Sequence, residues 1–173
     1  VLIFPEGSTH SGSEVRRVRS GAARILLAAL READATGLPR PNVIPVGLHY
    51  SETQRFRERA AVVIERTMPL PDPPSLGHET EAQDRLDRAW VDEVTELFAA
   101  ELHRVNHAKS SWAERTLIWR GRSLVYAEKQ RMAGDKLTKP SFSASVLAAR
   151  RLRAGWEFMA EHRSDETHRL AER

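Results

Sequence analysis

The chain has 173 residues, enough for one domain with a sizeable core, and its 40% hydrophobic and 29% charged residues argue against wholesale disorder. The formal net charge is +3 and the sequence pI about 9.7, a basic excess that fits an anionic ligand, an acidic membrane surface or nucleic acid without choosing among them. The absence of Cys excludes disulfides, thiolate metal sites and a Cys nucleophile within these residues, and no apolar run approaches the length of a bilayer-spanning helix.

The first predicted element is Val1–Phe4, an apolar run that breaks at Pro5-Glu6-Gly7 into a polar loop over Ser8–Ser13. This pattern predicts a buried parallel strand feeding a tight loop. The chain opens within that strand, so the strand's N-terminal partners are expected outside these residues and the chain is expected to be a fragment. Val15–Arg19 (VRRVR) adds a basic stretch. Ser20 is expected to cap a helix over Ala22–Ala35 with Ile25, Leu26, Ala29 and Leu30 on its apolar face and Gly37 closing it.

Pro39 and Pro41 then break the chain, and Val43–His49 (VIPVGLH) reads as a second buried strand. Its Pro45 and Gly47 point to a strand end near a ligand or to an edge. A charged loop, Tyr50–Ala60, leads to a third strand, Ala61–Glu65, and Met68–Gly77, with four prolines, reads as an irregular linker. Beyond it, Leu86, Ala89, Trp90, Val94, Leu97, Phe98, Leu102 and Val105 recur at helical spacing, which predicts an amphipathic helix over Glu79–Val105. Trp112–Met132 and Ser141–His162 read as two more helices separated at Gly134-Asp135. In the last of these Phe142, Val146, Ala149, Leu152, Trp156 and Met159 align, and the tail after Ser164 is charged. The expected fold class is therefore α/β: a partial, mostly parallel sheet with flanking helices over residues 1–77, followed by a helical region over residues 78–173.

The residues Phe4-Pro5-Glu6-Gly7, continued by Ser8-Thr9-His10-Ser11, the basic residues before Gly21 and the Ile44-Pro45-Val46 strand come in an order that resembles the third and fourth conserved blocks of the glycerolipid acyltransferases. That family acylates glycerol 3-phosphate or lysophosphatidate from an acyl thioester. FPEGSTH, with His where many members carry Arg after FPEGT, looks most like the branch related to the fungal-type glycerol-3-phosphate and dihydroxyacetone-phosphate acyltransferases. The motif resemblance covers roughly residues 1–50, and the Arg-rich helical tail is similar to that branch in character only. The resemblance implies a phospholipid-biosynthetic O-acyltransferase at a cytosol-facing membrane surface, with a phosphorylated glycerol acceptor, acyl-coenzyme A or acyl-carrier protein as co-substrate, and no further cofactor.

Carried over by position, the resemblance implies a substrate-binding set of Phe4, Pro5, Glu6, Gly7 and Ser8, with Arg16, Arg17 and Arg19 as phosphate partners. The chemistry is consistent. A phosphate-bearing acceptor needs cations and backbone N–H groups, and a carboxylate such as that of Glu6 accepts hydrogen bonds from an acceptor hydroxyl. The bland alternative makes Glu6 a structural carboxylate and the arginines a solvated loop.

One departure from the family's pattern stands out. Acyl transfer in the family rests on a His followed, after four intervening residues, by an Asp that orients the imidazole as general base. At that position His10 is followed by Val15, His49 by Gln54, His78 by Gln83, His103 by Ala108, His107 by Trp112, His162 by Thr167 and His168 by Arg173. The catalytic pair is absent from these residues, and the chain by itself is expected to be inactive.

Other constellations are weaker. His10 beside Ser8, Ser11 and Glu6 mimics a nucleophile set, but neighbours in one loop rarely reach triad geometry. His103 and His107 stand four residues apart, a metal-binding spacing with no third ligand in sight. Trp112, Trp119 and Trp156, with Arg115, Arg120, Arg122, Arg150, Arg151 and Arg153, suit a helical core better than a nucleic-acid or membrane interface, and no nucleic-acid-binding signature accompanies them. Three function classes follow: the acyltransferase portion, a non-enzymatic module binding lipid or a membrane surface through its basic face, and an unrelated phosphosugar-binding α/β domain.

Overall fold

The computed structural model describes residues 1–8, 15–51, 56–77, 80–106, 112–136 and 138–163, with side chains in the fifth of these spans described from residue 116 onward. The elements in chain order are α1 (Gly21–Thr36), β1 (Val46–Tyr50), β2 (Ala60–Ile64), α2 (Thr80–Asn106), α3 (Trp112–Met132) and α4 (Phe142–His162). All four predicted helices form, with ends shifted by a residue or so.

The sheet departs from expectation. Instead of a mostly parallel α/β sheet, the described residues hold a single two-stranded antiparallel ladder, β1 beside β2. Backbone bonds from Ser51 N–H to the Arg59 carbonyl (2.9 Å) and from Glu65 N–H to the Pro45 carbonyl (3.1 Å) fix its register. The connection is the reason. Residues 51–59 are fewer than the dozen or so that a parallel crossover needs, so the two strands close as a hairpin. Both strands are therefore edges, in keeping with Gly47 in β1 and Pro45 just before it. The expected first strand, Val1–Phe4, forms no strand and its four side chains lie exposed. An apolar run becomes a strand only where a neighbouring strand takes its backbone groups, and among the described residues none lies beside it.

The chain divides into two compact units. The first comprises Val1–Leu48 and Val62–Lys109. Here α1 presents Ala23, Leu26, Leu27 and Leu30 to α2, which answers with Trp90, Val91, Val94 and Phe98. Val18 and Met68 complete the cluster. Each large apolar side chain fully buried there contributes about 1.5–3 kcal/mol. Two members of the expected α1 face, Ile25 and Ala29, instead lie exposed, because the buried stripe runs through Ala23 and Leu27. Leu86 and Ala89 of α2 likewise face solvent.

Gly37 ends α1 in a left-handed conformation (φ 70°), and its N–H and that of Leu38 both close on the Ala33 carbonyl. Ser20, the expected N-cap, makes no side-chain cap bond. Its backbone is already helical (φ −66°, ψ −8°), whereas a capping hydroxyl reaches the first turn from an extended backbone.

The second unit comprises His49–Ala61 and Ser110–Arg173. In it α3 and α4 pack closely, most tightly at Gly121, where an added Cβ would lie 2.8 Å from Leu152 Cδ2. Phe142, Val146, Ala148 and Ala149 are the buried apolar residues of α4. Ser141, extended at φ −64° and ψ 162°, is a working N-cap whose hydroxyl accepts the Ala144 N–H. Left-handed Gly134 turns the chain after α3, where Gln130 and Thr138 exchange hydrogen bonds across the connection.

Candidate functional site

The predicted substrate-binding residues belong to the first unit, and the structure brings most of them together. Phe4-Pro5-Glu6-Gly7 forms a turn closed by a bond from the Gly7 N–H to the Phe4 carbonyl (3.1 Å). Two further bonds tie this turn to the basic stretch. The Arg19 N–H donates to the Pro5 carbonyl (2.9 Å), and the Arg16 N–H donates to Glu6 Oε2 (2.7 Å). Glu6 thus clips the loop shut by accepting a main-chain donor.

Gly7 serves two needs. Its φ is +66°, a conformation that costs an L-residue roughly 1–2 kcal/mol. A Cβ there would also lie 3.1 Å from both Cδ and Nε of Arg19. The stem of Arg19 therefore lies across the face of the glycine, and the turn itself positions that cation.

The V-x-x-V spacing of residues 15–18 sorts the basic stretch. Val18 is buried in the core and Val15 packs against it, while Arg16, Arg17 and Arg19 are exposed. None of these three side chains meets a carboxylate among the described residues. A basic stretch tied to a glycine turn raises the local positive potential and suits a compact oxyanion. Ser8 is described and exposed beside the turn. Thr9, His10 and Ser11 lie outside the described residues, so the loop constellation of His10 with Ser8, Ser11 and Glu6 does too.

The remaining candidates separate. His103 is on α2 with its Nδ1 buried and unbonded, and His107 lies outside the described residues. Among the described residues no group of three His, Cys, Asp or Glu stands close enough to hold a metal ion. Trp119 and Arg122 meet on α3, whereas the side chains of Trp112 and Arg115 are not among those described. No described helix is long and apolar enough to cross a membrane.

A cleft of about 530 Å³ between α1 and α2 lies apart from the turn and is lined by Arg24, Arg31, Asp84, Asp87, Arg88 and Asp92 among others. Its central charges are spent on each other. Arg31 Nη1 and Nη2 donate to the two Asp87 carboxylate oxygens (2.7 and 2.5 Å), and Gln83 donates to the same carboxylate (2.7 Å). Sequence reasoning did not foresee the seat of Arg19 on Gly7; the signal lay in the valine spacing, which fixes which way each arginine of the stretch points. No family model, no curated protein and no solved structure matches the chain.

Proposed function

We propose that this chain is the acceptor-side portion of a glycerolipid acyltransferase, holding the phosphate of glycerol 3-phosphate or lysophosphatidate at the turn formed by residues 4–7 and 16–19. The observation that carries the reading is the left-handed Gly7 turn, clipped to the main chain of Arg16 and Arg19 and covered by the Arg19 stem, in a basic stretch whose three arginines meet no carboxylate among the described residues. The motif order of residues 1–50 supplies the reaction class. In this reading Arg19, seated on Gly7, is the principal phosphate ligand, Arg17 adds a second charge, and Glu6 keeps the loop closed so that both stay in place. The general base comes from a His-x-x-x-x-Asp pair that these residues do not contain, so the activity belongs to a longer protein that supplies it.

The test is binding of sn-glycerol 3-phosphate to the chain, followed by calorimetry with Arg17→Ala, Arg19→Ala and, as the control, Arg85→Ala on the exposed face of α2. Each charge-assisted contact is worth roughly 1.5–3 kcal/mol, so Arg19→Ala should weaken binding about tenfold to a hundredfold. Arg85→Ala should leave it unchanged. Equal affinity in all variants would remove the phosphate site from this turn. Incubation of the chain with an acyl thioester and glycerol 3-phosphate should give no transfer, since positioned base catalysis alone contributes about 10²–10⁴-fold. Turnover would require a base among the histidines present, beginning with His10. Binding to phospholipid vesicles without affinity for the soluble acceptor would instead favour a non-enzymatic lipid-surface module.

A further inference from the structure

Four side chains of the second unit form a chain of contacts, with a cation at each end and two rings between. Arg59, just before β2, sets its guanidinium carbon 5.5 Å from the centroid of the Phe142 ring at the start of α4. Phe142 meets Trp119 of α3 edge to face, with centroids 6.1 Å apart at 77°. One turn further along α3, Arg122 lies over Trp119 at 3.5 Å. Stacking on a ring face leaves the in-plane N–H edges of a guanidinium for other partners. Arg122 uses Nη1 on the Trp119 carbonyl, but its Nε–H is closed to water and meets no acceptor. Neither Arg59 nor Arg122 meets a carboxylate among the described residues. Burial, and then the charge of Arg59, pull Arg122 below the ordinary guanidinium range.

The two cations sit on rings that touch each other, Arg122 is partly desolvated, and the charge of Arg59 is felt there as repulsion. The aromatic faces offset part of that cost and supply no acceptor for the N–H edges. We infer that Arg59 and Arg122, on the Trp119–Phe142 pair, form a second anion site that takes a phosphate monoester. Such a group carries close to two negative charges near neutral pH and three acceptor oxygens, which matches a pair of cations better than a monovalent carboxylate does. This site shares no residue with the turn of the first unit and does not depend on the acyltransferase reading.

The full chain would be titrated in separate arms with inorganic phosphate, with phosphatidylcholine vesicles containing phosphatidic acid, and with phosphatidylcholine vesicles alone. The readout is the Arg122 Nε–H resonance, assigned by its loss in Arg122→Lys. Inorganic phosphate or the phosphatidic acid vesicles should shift the resonance, and the plain vesicles should not. A response to phosphate marks a soluble ligand, and a response to phosphatidic acid vesicles alone marks a lipid headgroup; both support the site. Arg59→Gln, at an exposed position, should weaken binding about tenfold with an unchanged circular dichroism spectrum. Arg122→Lys should bind about tenfold more weakly by calorimetry, since it keeps the charge but loses the fork. Arg120→Gln, exposed on the same helix, and Arg17→Ala with Arg19→Ala in the first unit should leave the Arg122 response intact. No response in either arm, or a response unchanged by Arg59→Gln, would overturn the inference.

Discussion

Arg31 in the first unit and Arg122 in the second both project from long helices, yet their surroundings differ in kind. Arg31 lies in plane with the Asp87 carboxylate, which Gln83 also holds, and the whole group seals one side of the α1–α2 contact. Arg122 lies over a tryptophan ring, feels the charge of a second arginine and meets no acid among the described residues. In the first case the positive charge completes the fold. In the second the fold holds the charge in place without neutralising it. The cations of residues 16–19 share the second condition, although they sit in the first unit, since the turn engages their main chain and the stem of Arg19 while no carboxylate among the described residues meets their charges. Where the charge is matched, mutation should be read in stability; where it is not, in binding.

The largest stability effect belongs to the core that supports the matched region. Trp90 is buried among Leu27, Val94 and Phe98, and its indole N–H donates to the Pro71 carbonyl (3.3 Å), which ties the proline-rich linker to α2. Trp90→Ala should cost about 3–5 kcal/mol, through the cavity and the unpaired carbonyl together, read as a lowered urea midpoint. In the second unit the corresponding test is the α3–α4 contact. Gly121→Val should cost about 1–3 kcal/mol, because its Cβ would fall within 2.8 Å of Leu152. Gly155→Ala on α4 meets open space and should gain about 0.8–1.0 kcal/mol from helix propensity alone. Equal effects at the two glycines would mean that the α3–α4 seam is looser than its geometry indicates.

How much of this was legible in the sequence follows from how local each feature is. The helices were readable because a repeat such as Trp90, Val94, Phe98 is a property of the segment itself. The α1 face was only half right: Ala23 and Leu27 belong to the buried stripe and Ile25 does not, and which of two neighbouring apolar stripes is buried depends on the partner helix. The run Val1–Phe4 misled because hydrophobicity marks a segment that prefers burial, while strand formation needs a second backbone to accept its bonds. Ser20 misled for a smaller reason, a helical φ/ψ that takes its hydroxyl off the first turn. Of the turn, the residues were legible from the motif and the solvent-facing arginines from the valine spacing, but the bond from Arg16 N–H to Glu6 was not. The pairing of Trp119 with Arg122 stands at helical i, i+3 spacing, whereas Arg59 joins them through Phe142, far along the chain, and left no local signal.

The matched charge makes the smallest and most pH-specific prediction. The hydrogen bonds from Arg31 hold the Asp87 carboxyl below the usual carboxylate range, with burial opposing and Gln83 assisting. Arg31 is correspondingly raised by the same bond. The folded state therefore binds a proton at Asp87 less readily than the unfolded state does. The resulting stability is fully present above the unfolded value, about 3.9, and is lost as pH falls through the lower folded value. Both side chains are about one quarter exposed, at 25% and 24%, so solvent screening keeps the worth of the pair to about 0.5–1 kcal/mol despite its bidentate geometry. Asp87→Asn should lower stability by that amount at pH 7, and the gap between variant and wild type should close on acidification below pH 4. High salt should narrow the gap at pH 7 without moving the pH at which it closes by much, because the hydrogen bonds, not the long-range field, dominate the shift. A gap that persists unchanged into acid would mean that Asn fails at this position for reasons of packing, and the contrast between a charge that completes the fold and one left unneutralised would then rest on the second unit alone.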